Sequence, residues 1–200
     1  MAQNKTDAQQ LQSATLPGQM RNPEGRKEDC LQIHYHPQGL MNLRNSRDVN
    51  KVMSRHFGTA LPVGANCFSV SGDRRALWLG PDESLLICAD QDAAELHRTL
   101  TTQLSGSGQH FQLTLLSDAL AMYELNGPYV REILAKGCAL DLHVSVFQPG
   151  QCAQSNLDRV AVVLMCEAVN SFRLICRTSF ADYVETWLKD AAIEYGYVVS

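Results

Sequence analysis

The sequence predicts an α+β fold of two split-βαβ (βαββα-like) modules with largely antiparallel sheets. The main observation is an internal repeat, because Ala76–Cys88 and Val160–Cys176 each contain two strand-like runs and end in Leu-Ile-Cys. In both copies a polar residue suited to begin a helix follows, and then an amphipathic helix. In addition, neither G-x-G-x-x-G nor G-x-x-x-x-G-K-[ST] occurs, so a nucleotide-binding α/β fold has no support.

Composition and charge exclude several classes of protein. The chain has 200 residues, of which 45% are hydrophobic and 19% charged, as in ordinary globular domains. No apolar run approaches the 18 or so residues that a membrane span needs, and a net charge of −4 offers no basic surface for nucleic acid. We therefore expect no membrane partner, no nucleic-acid partner and a cytoplasmic location.

Three regions are predicted along the chain. Residues 1–29 are rich in Gln, Asn, Pro, Gly and charge without periodicity, which predicts a disordered leader. A docking arm that orders on a partner is the alternative, and the absence of a continuous apolar segment argues against a signal peptide. Residues 30–104 form the first α+β module, and residues 105–200 form a second that shares a core with it.

The first module begins with a strand over Cys30–His36 and a helix over Asn45–Phe57, with Ser46 as N-cap and Gly58 after its end. Three further extended runs are separated by turn sequences: Cys67–Val70, Ala76–Leu79 and Leu85–Ala89. Asp90 is suited to cap a helix over the next fourteen positions. The apolar stripe of that helix is Ala93, Leu96, Leu100 and Leu104.

The second module repeats this order. Strands are predicted at Phe111–Leu115 and Ala119–Leu125, followed by a helix over Tyr129–Lys136 that ends at Gly137 in a left-handed cap. An irregular stretch follows at Cys138–Gly150, and then a hairpin of the strands Arg159–Glu167 and Ser171–Arg177. The last helix begins with a capping box of Ser179 and Asp182. The stripe predicted to be buried on that helix is Phe180, Tyr183, Val184, Trp187, Leu188, Ala191 and Ala192.

The seven cysteines contain no C-x-x-C pair, so neither a zinc ribbon nor a thioredoxin-like motif has support. Most lie in apolar strand-like runs, where a free cysteine is a small buried hydrophobe. We expect reduced, inert core thiols. Cys138 and Cys152 lie in loop-like segments, and for these two a reactive thiol stays open.

Candidate chemistry is sparse. His34 and His36 lie on one face of a strand, roughly 7 Å apart, and are expected to be exposed or interfacial, with a metal site as the alternative. Asp141 and His143 are expected to fix their loop through backbone bonds, with an acid–base pair as the alternative. Asp82 is likewise expected to bond backbone N–H groups of its turn. Trp78 and Trp187 follow core stripes, and no catalytic constellation is found.

Several motifs resemble those of the gamma subunit of heterotetrameric sarcosine oxidase, a family that includes a similar subunit of N-methylglutamate dehydrogenase. The resemblance covers about residues 30–196. It is carried by Trp78-Leu-Gly-Pro-Asp-Glu83, Gly127-Pro128, Arg131, Leu134–His143, Phe147, Gly150, Cys152-Ala-Gln154, Ser179–Tyr183, Trp187-Leu188, Asp190–Ala192 and Glu194–Gly196. The chain departs from the family pattern at Ser84, Val144 and Ser155, where the family usually has Trp, Pro and Thr.

The resemblance implies a non-catalytic accessory subunit of a flavoprotein that oxidatively demethylates sarcosine or a related N-methyl amino acid. The chain itself would bind no cofactor, and alpha, beta and delta subunits would carry FAD, FMN, NAD, tetrahydrofolate and zinc. The fold would resemble the folate-binding aminomethyltransferase module. A stand-alone folate-binding one-carbon transfer or sensor module is the alternative, with Asp82, Glu83 or Asp141 as its carboxylate. The predicted partner-interface residues are Gly80, Pro81, Asp82, Glu83, Asp141, His143, Phe147 and Gln154.

Overall fold

The structure is a computed structural model that describes residues 29–45, 49–108 and 110–200. The predicted leader, apart from its last residue, lies outside these ranges, and so does the predicted helix cap Ser46. None of the helices in the described ranges is long and apolar enough to cross a membrane.

Strands and helices follow one another in a similar order in the two halves of the chain. The first half contains β1 (Leu31–Tyr35), β2 (Gln38–Asn45), α1 (Asn50–Val52, continued by a π-helical turn Met53–Phe57), β3 (Phe68–Ser71), β4 (Arg74–Gly80), β5 (Glu83–Ala89) and α2 (Ala93–Gly106). The second half contains β6 (Phe111–Leu115), β7 (Leu120–Asn126), α3 (Val130–Ala135), β8 (Cys152–Leu157), β9 (Val160–Ala168), β10 (Ser171–Arg177), α4 (Ala181–Ala191) and β11 (Tyr197–Val199).

The strands form two sheets, with the orders β3-β4-β5-β2-β6 and β11-β1-β7-β10-β9-β8. Neighbouring strands are antiparallel except β1 and β11, which are parallel. The predicted α+β class with largely antiparallel sheets is confirmed. Strands β2, β8 and β11 were not predicted from the sequence.

The internal repeat is present, but its leading strands are exchanged. The order β1-β2-α1-β3-β4-β5-α2 corresponds to β6-β7-α3-β8-β9-β10-α4. Strand β1 pairs with β7, and β6 pairs with β2, so each leading strand lies in the sheet of the other half. In the sheet of the first half, the strand that comes before helix α1 is therefore β2. The strand predicted for this position was Cys30–His36. The module boundary between residues 104 and 105 stays a prediction.

The sheets pack face to face, and the helices cover their outer faces. Side chains alternate along each strand, so that one set lies between the sheets and the other under the helices. The cluster between the sheets contains Leu40, Leu77, Leu85, Ile87, Met122, Cys152, Met165 and Ile175. Under α2 lie its own Ala93, Leu96, Leu100 and Leu104, all buried as predicted.

Charged side chains also join the two sheets. Arg75 on β4 donates to Glu167 on β9 at 2.6 Å, and Arg173 on β10 lies 3.2 Å from the same carboxylate. Arg173 is also 3.8 Å from Glu124 on β7. In this chain of partly buried ion pairs, the pair of Arg75 and Glu167 links the two sheets.

Two predicted helix caps are wrong. Asp90 and Ser179 do not cap α2 and α4 with their side chains, because each helix is preceded by a 3-10 turn, Asp90–Asp92 or Thr178–Phe180. The first backbone N–H groups of the helices are satisfied by carbonyls of these turns instead.

The surroundings of Gly137 also differ from the prediction. Gly137 is not left-handed, since it is absent from the described glycines with positive φ. A Cβ atom at this position would lie 2.4 Å from Cζ2 of Trp187, so glycine is required by close packing against the indole. Trp187 is half-buried, whereas Phe180 and Tyr183, which were predicted to be buried, are each 43% exposed.

Candidate functional site

The turn between β4 and β5, which contains four predicted interface residues, is held by side chains from β2. Glu83 accepts hydrogen bonds from Asn42 Nδ2 at 2.7 Å and from Arg44 Nη2 at 2.8 Å. The Asp82 carboxylate lies 3.5 Å from Arg44 and is largely exposed. Among the described residues, no backbone N–H of the turn donates to this carboxylate, so the predicted backbone role is wrong, and its charged partner is Arg44. The Asp82 carbonyl, in contrast, accepts a bond from Asn45 N.

Trp78 lines an open cleft beside this turn rather than the core. The cleft has a volume of about 400 Å³, and Gly80 and Pro81 also line it. We call it the Trp78 cleft and define it by Leu61, Pro62, Val63, Trp78, Asp82 and Ser84. Trp78 is half-buried and belongs to none of the buried clusters among the described residues, so its predicted core position is wrong.

The loop 138–150 contains the other predicted pair, and Asp141 fixes its conformation. Asp141 Oδ1 accepts a bond from His143 N at 2.9 Å, which agrees with the predicted backbone role. His143 Nδ1 lies 2.7 Å from Ser145 Oγ, and no contact joins the imidazole to the Asp141 carboxylate among the bonds of the described residues. The acid–base pair considered as an alternative is therefore not formed.

Phe147 and Gln154 have structural contacts. Phe147 is 7% exposed and stacks on Phe172 with ring centroids 6.2 Å apart. Gln154 on β8 donates from Nε2 to the carbonyl of Leu79 on β4 at 2.9 Å and so links the two sheets. The exposed apolar side chains of the 138–150 loop are instead Val144 and Val146.

Arg131 holds the 138–150 loop against the rest of the second half. Its Nη1 donates to the carbonyls of Leu142 at 2.6 Å and Phe147 at 3.0 Å, and its Nε donates to Val169 O at 2.8 Å. Nη2 lies 3.3 Å from Cys166 Sγ, and the guanidinium is 4.8 Å from the centre of the Phe172 ring. Sequence reasoning noted Arg131 only as part of a motif. No local pattern signals a role that depends on three distant carbonyls.

The predicted candidates do not converge on one site. Asp82 and Glu83 lie at the Trp78 cleft in the first half, whereas Asp141 and His143 line a separate groove in the second half. Within the described ranges, no group of three His, Cys, Asp or Glu side chains could hold a metal ion.

The two histidines of β1 contact each other and the carboxyl end of the chain. The His34 and His36 rings lie 4.2 Å apart in an edge-on arrangement, and His34 Nδ1 is 2.8 Å from Ser200 Oγ. His36 Nε2 lies 3.6 Å from Glu124. Burial, together with His34, lowers the pKa of His36 below its usual value. The pair is half-exposed, as expected for a surface or interfacial position.

The cysteines are free thiols, and most are buried. Cys138 and Cys152, whose reactivity was left open, are 8% and 0% exposed. Burial raises the pKa of Cys152 to about 12 and those of Cys88 and Cys176 to about 11. Because only the thiolate is a good nucleophile, these groups are unreactive near neutral pH.

A thiol titration of the native chain is expected to find one fast-reacting cysteine, Cys67, which is the only cysteine in the described ranges that is not buried. The measurement uses Ellman's reagent at pH 8, first without denaturant and then in guanidinium chloride, where all seven thiols should react. A Cys67→Ser variant is the control and should show no fast phase. Fast reaction of a second thiol in the native chain would contradict the assignment.

Comparison with known sequences identifies similar proteins. The family model described as "Sarcosine oxidase, gamma subunit family" matches residues 47–194. The sarcosine oxidase subunit gamma of Corynebacterium sp. (strain U-96) is 36% identical over 142 residues, which are 69% of this chain and 66% of that protein. The corresponding subunit of Corynebacterium sp. (strain P-1) is 35% identical over 145 residues, 72% of this chain and 69% of that protein. The matched segment thus spans about two thirds of the length of these relatives.

Comparison with solved structures agrees in fold. A chain of the heterotetrameric sarcosine oxidase from Corynebacterium sp. U-96, solved in complex with pyrrole 2-carboxylate, matches with a TM-score of 0.78 and 26% identity, covering 94% of both chains. The glycine cleavage system aminomethyltransferase T from Bartonella henselae matches with a TM-score of 0.62 and 12% identity, covering 86% of this chain and 48% of that one. The second likeness concerns the fold alone and confirms the predicted resemblance to the aminomethyltransferase module.

Proposed function

This chain belongs to the sarcosine oxidase gamma subunit family, and we propose on that basis that it is a non-catalytic accessory subunit of a multi-subunit flavoprotein. The complex oxidatively demethylates sarcosine or a related N-methyl amino acid to the free amino acid. The observation that carries this proposal is the match, over 94% of both chains, to a chain of a heterotetrameric sarcosine oxidase.

The surface of the second half supports a role in assembly. Val144, Val146 and Val169 are 44%, 51% and 50% exposed, and Tyr129 is 44% exposed. Arg131 binds backbone carbonyls of the loop and of the turn that contain the three valines, so these two segments lie close together. We call these four residues the valine patch. Grouped apolar side chains on the surface are typical of partner interfaces.

The candidate carboxylates support an accessory role over a stand-alone folate-binding module. A folate site would need a deep pocket with a convergent carboxylate. Glu83 is bonded through both oxygens, the Asp82 side chain is 61% exposed, and Asp141 is used within its own loop. These three groups belong to two separate clefts, and the proposal therefore assigns no reaction to this chain.

Cofactors belong, in this proposal, to the other chains of the complex. Alpha and beta subunits would hold FAD, FMN, NAD and the folate site, and a delta subunit would hold zinc. The cysteines of this chain agree with a zinc site on another subunit, because the buried cysteines are dispersed through the core and have no C-x-x-C spacing.

Coexpression of the tagged chain with its neighbouring genes is expected to give a yellow complex that contains larger flavin-bearing chains. The visible spectrum of the eluate is the measurement. A Val144→Ser, Val146→Ser variant should reduce recovery of the complex, because partner contacts lose apolar area. Val70→Ser is the matched control, since Val70 on β3 is 50% exposed and lies outside the valine patch.

The contrary result would be a colourless monomer from coexpression. Binding of reduced folate by that monomer would then favour the stand-alone one-carbon module. Screening of N-methyl amino acids as substrates of a yellow complex would identify the amine that it oxidises.

A further inference from the structure

The two halves of the chain use equivalent helix positions differently. Helices α1 and α3 follow the N-cap residues Val49 and Tyr129, so Lys51 and Arg131 are each the second residue after the cap. Arg131 turns inward and is held by the carbonyls described above. Lys51 is exposed to solvent. Lys51 therefore does not insert its cation as Arg131 does in the second half.

The residues around these positions also correspond through strand register. Trp78 faces Ser84 across β4 and β5, and Cys166 faces Phe172 across β9 and β10. Both pairs lie immediately before the tip of the corresponding hairpin. Since Cys166 and Phe172 contact Arg131, the Trp78 cleft is lined by the counterparts of two Arg131 contacts.

The hairpin tips provide a third correspondence. In the first half, the carbonyl of Asp82, which follows Pro81, accepts a bond from Asn45 N at the end of β2. In the second half, the carbonyl of Asn170, which follows Val169, accepts a bond from Gly127 N immediately after β7. Pro81 therefore corresponds to Val169, whose carbonyl accepts a bond from Arg131 Nε. Pro81 lines the Trp78 cleft. The cleft is thus lined by the counterparts of three residues that contact Arg131.

The side chains lining the Trp78 cleft are suited to a guanidinium group. Trp78 offers the aromatic face on which a cation binds most strongly. Ser84 is 5% exposed and lines the cleft, and its hydroxyl has no hydrogen bond among the described residues. The Ser84 hydroxyl oxygen is not among the enclosed polar atoms without a partner in the described residues, so it is open to the cleft and can accept a bond from an incoming donor.

Charge favours a cation at the same place. Among the described residues, the first-half turn has the two carboxylates Asp82 and Glu83 with Arg44 as their shared partner, an excess of one negative charge. The corresponding residues of the second-half turn, Asn170 and Ser171, are neutral. Asp82 is the more exposed carboxylate and is placed to pair with an incoming guanidinium.

We propose that the Trp78 cleft receives an arginine side chain from a partner subunit, which repeats between chains the contact that Arg131 makes within the second half. The guanidinium stacks on Trp78, pairs with Asp82 and donates to Ser84 Oγ. This inference rests on the proposed function, because it assigns one contact of the assembled complex. Other occupants, such as a neutral or acidic segment, would not match the carboxylate.

The free chain provides the first test. In a Trp187→Phe background Trp78 is the single tryptophan, because the sequence contains two. The probe is N-acetylarginine amide, and N-acetylcitrulline amide is its neutral control of similar shape. Arginine amide is expected to change Trp78 fluorescence saturably, and the citrulline compound is not. Asp82→Asn should weaken the apparent affinity at least fivefold, whereas Asp90→Asn, which removes an exposed carboxylate elsewhere, should leave it unchanged.

The second test measures assembly with the coexpressed partners. Asp82→Asn and Trp78→Leu chains should be recovered in the flavin-bearing complex at one tenth of the wild-type yield or less, and Asp90→Asn at the wild-type yield. Circular dichroism of each free variant should match that of the wild type.

The outcomes separate this inference from the proposed function. Equal responses to the two amides, or wild-type assembly of the Asp82→Asn chain, would overturn the arginine contact while the accessory role stands. If the wild-type chain captures no flavin-bearing partner, the accessory role fails, and the amide titration still decides whether the cleft selects a guanidinium.

Discussion

Replacement of Arg131 by methionine is expected to lower the free energy of unfolding by about 3–5 kcal/mol. The guanidinium donates to the carbonyls of Leu142, Phe147 and Val169 and lies over the Phe172 ring. Methionine retains much of the packing volume but donates no hydrogen bond. Each partly buried carbonyl left without a donor costs about 1–3 kcal/mol, and the loss of the cation over the ring adds to this. Urea unfolding of the full chain, followed by circular dichroism, measures the change.

The repeat supplies a matched control for this substitution. Lys51→Met removes a charge at the equivalent helix position, where the side chain is exposed, and should change stability by less than about 0.5 kcal/mol. Arg131→Lys should be intermediate, because the ammonium keeps the charge but cannot reach three carbonyls as the planar fork does. Wild-type stability of the Arg131→Met chain would show that the loop is held by other contacts.

Replacement of Gly127 by alanine is expected to destabilise the chain by about 3–4 kcal/mol. Gly127 has a φ of 149°, a region that residues with a Cβ atom rarely adopt, at a cost of about 1–3 kcal/mol. A Cβ atom there would also lie 2.6 Å from the Cys30 carbonyl oxygen. That neighbour is backbone at the start of β1 and cannot rotate away, so overpacking adds about 1–3 kcal/mol.

A second glycine separates these two penalties. Gly72 has a positive φ of 58° in the β3–β4 turn, and a Cβ atom there would meet nothing within 4 Å. Gly72→Ala should therefore cost only about 1–2 kcal/mol of backbone strain. Equal losses in the two variants by urea unfolding would show that the contact with Cys30 relaxes easily.

Local periodicity was sufficient to predict the elements whose buried face is formed by their own neighbours. The stripe of Leu96, Leu100 and Leu104 on α2 needed only a 3.6-residue period. The β9–β10 hairpin needed only two apolar runs and a turn. The repeat of Leu-Ile-Cys before each helix was also sufficient to predict two related modules.

The features that sequence reasoning missed depend on distant partners. Strand β2 has adjacent buried residues, Leu40 and Met41, because it is covered on both faces, so its pattern does not alternate. Strand β11 is short, and it forms because β1 offers an open edge. Trp78 follows the same stripe as Ala76, but it is half-buried and lines an open cleft. Spacing along a strand does not contain that information.

For the candidate-site residues, too, local contacts were predicted and contacts with distant residues were missed. Asp141 binds the backbone two residues ahead, a local contact that its sequence neighbours indicate. The partner of Asp82 is Arg44, which lies far away in sequence, and the three carbonyl partners of Arg131 come from two separate segments. Such contacts arise from topology, and topology was predicted only in outline.

The exchange of β1 and β6 between the sheets has a consequence for how the chain reaches its folded state. Strand β1 leaves the ribosome early, but its antiparallel neighbour β7 and its parallel neighbour β11 are made much later. The second sheet therefore cannot close until β11 has been synthesised. Because such non-local pairing is slow to form, nascent chains keep the open edge of β1 exposed in the meantime. Premature termination anywhere before β11 would leave that edge unpaired in every product and expose it to aggregation.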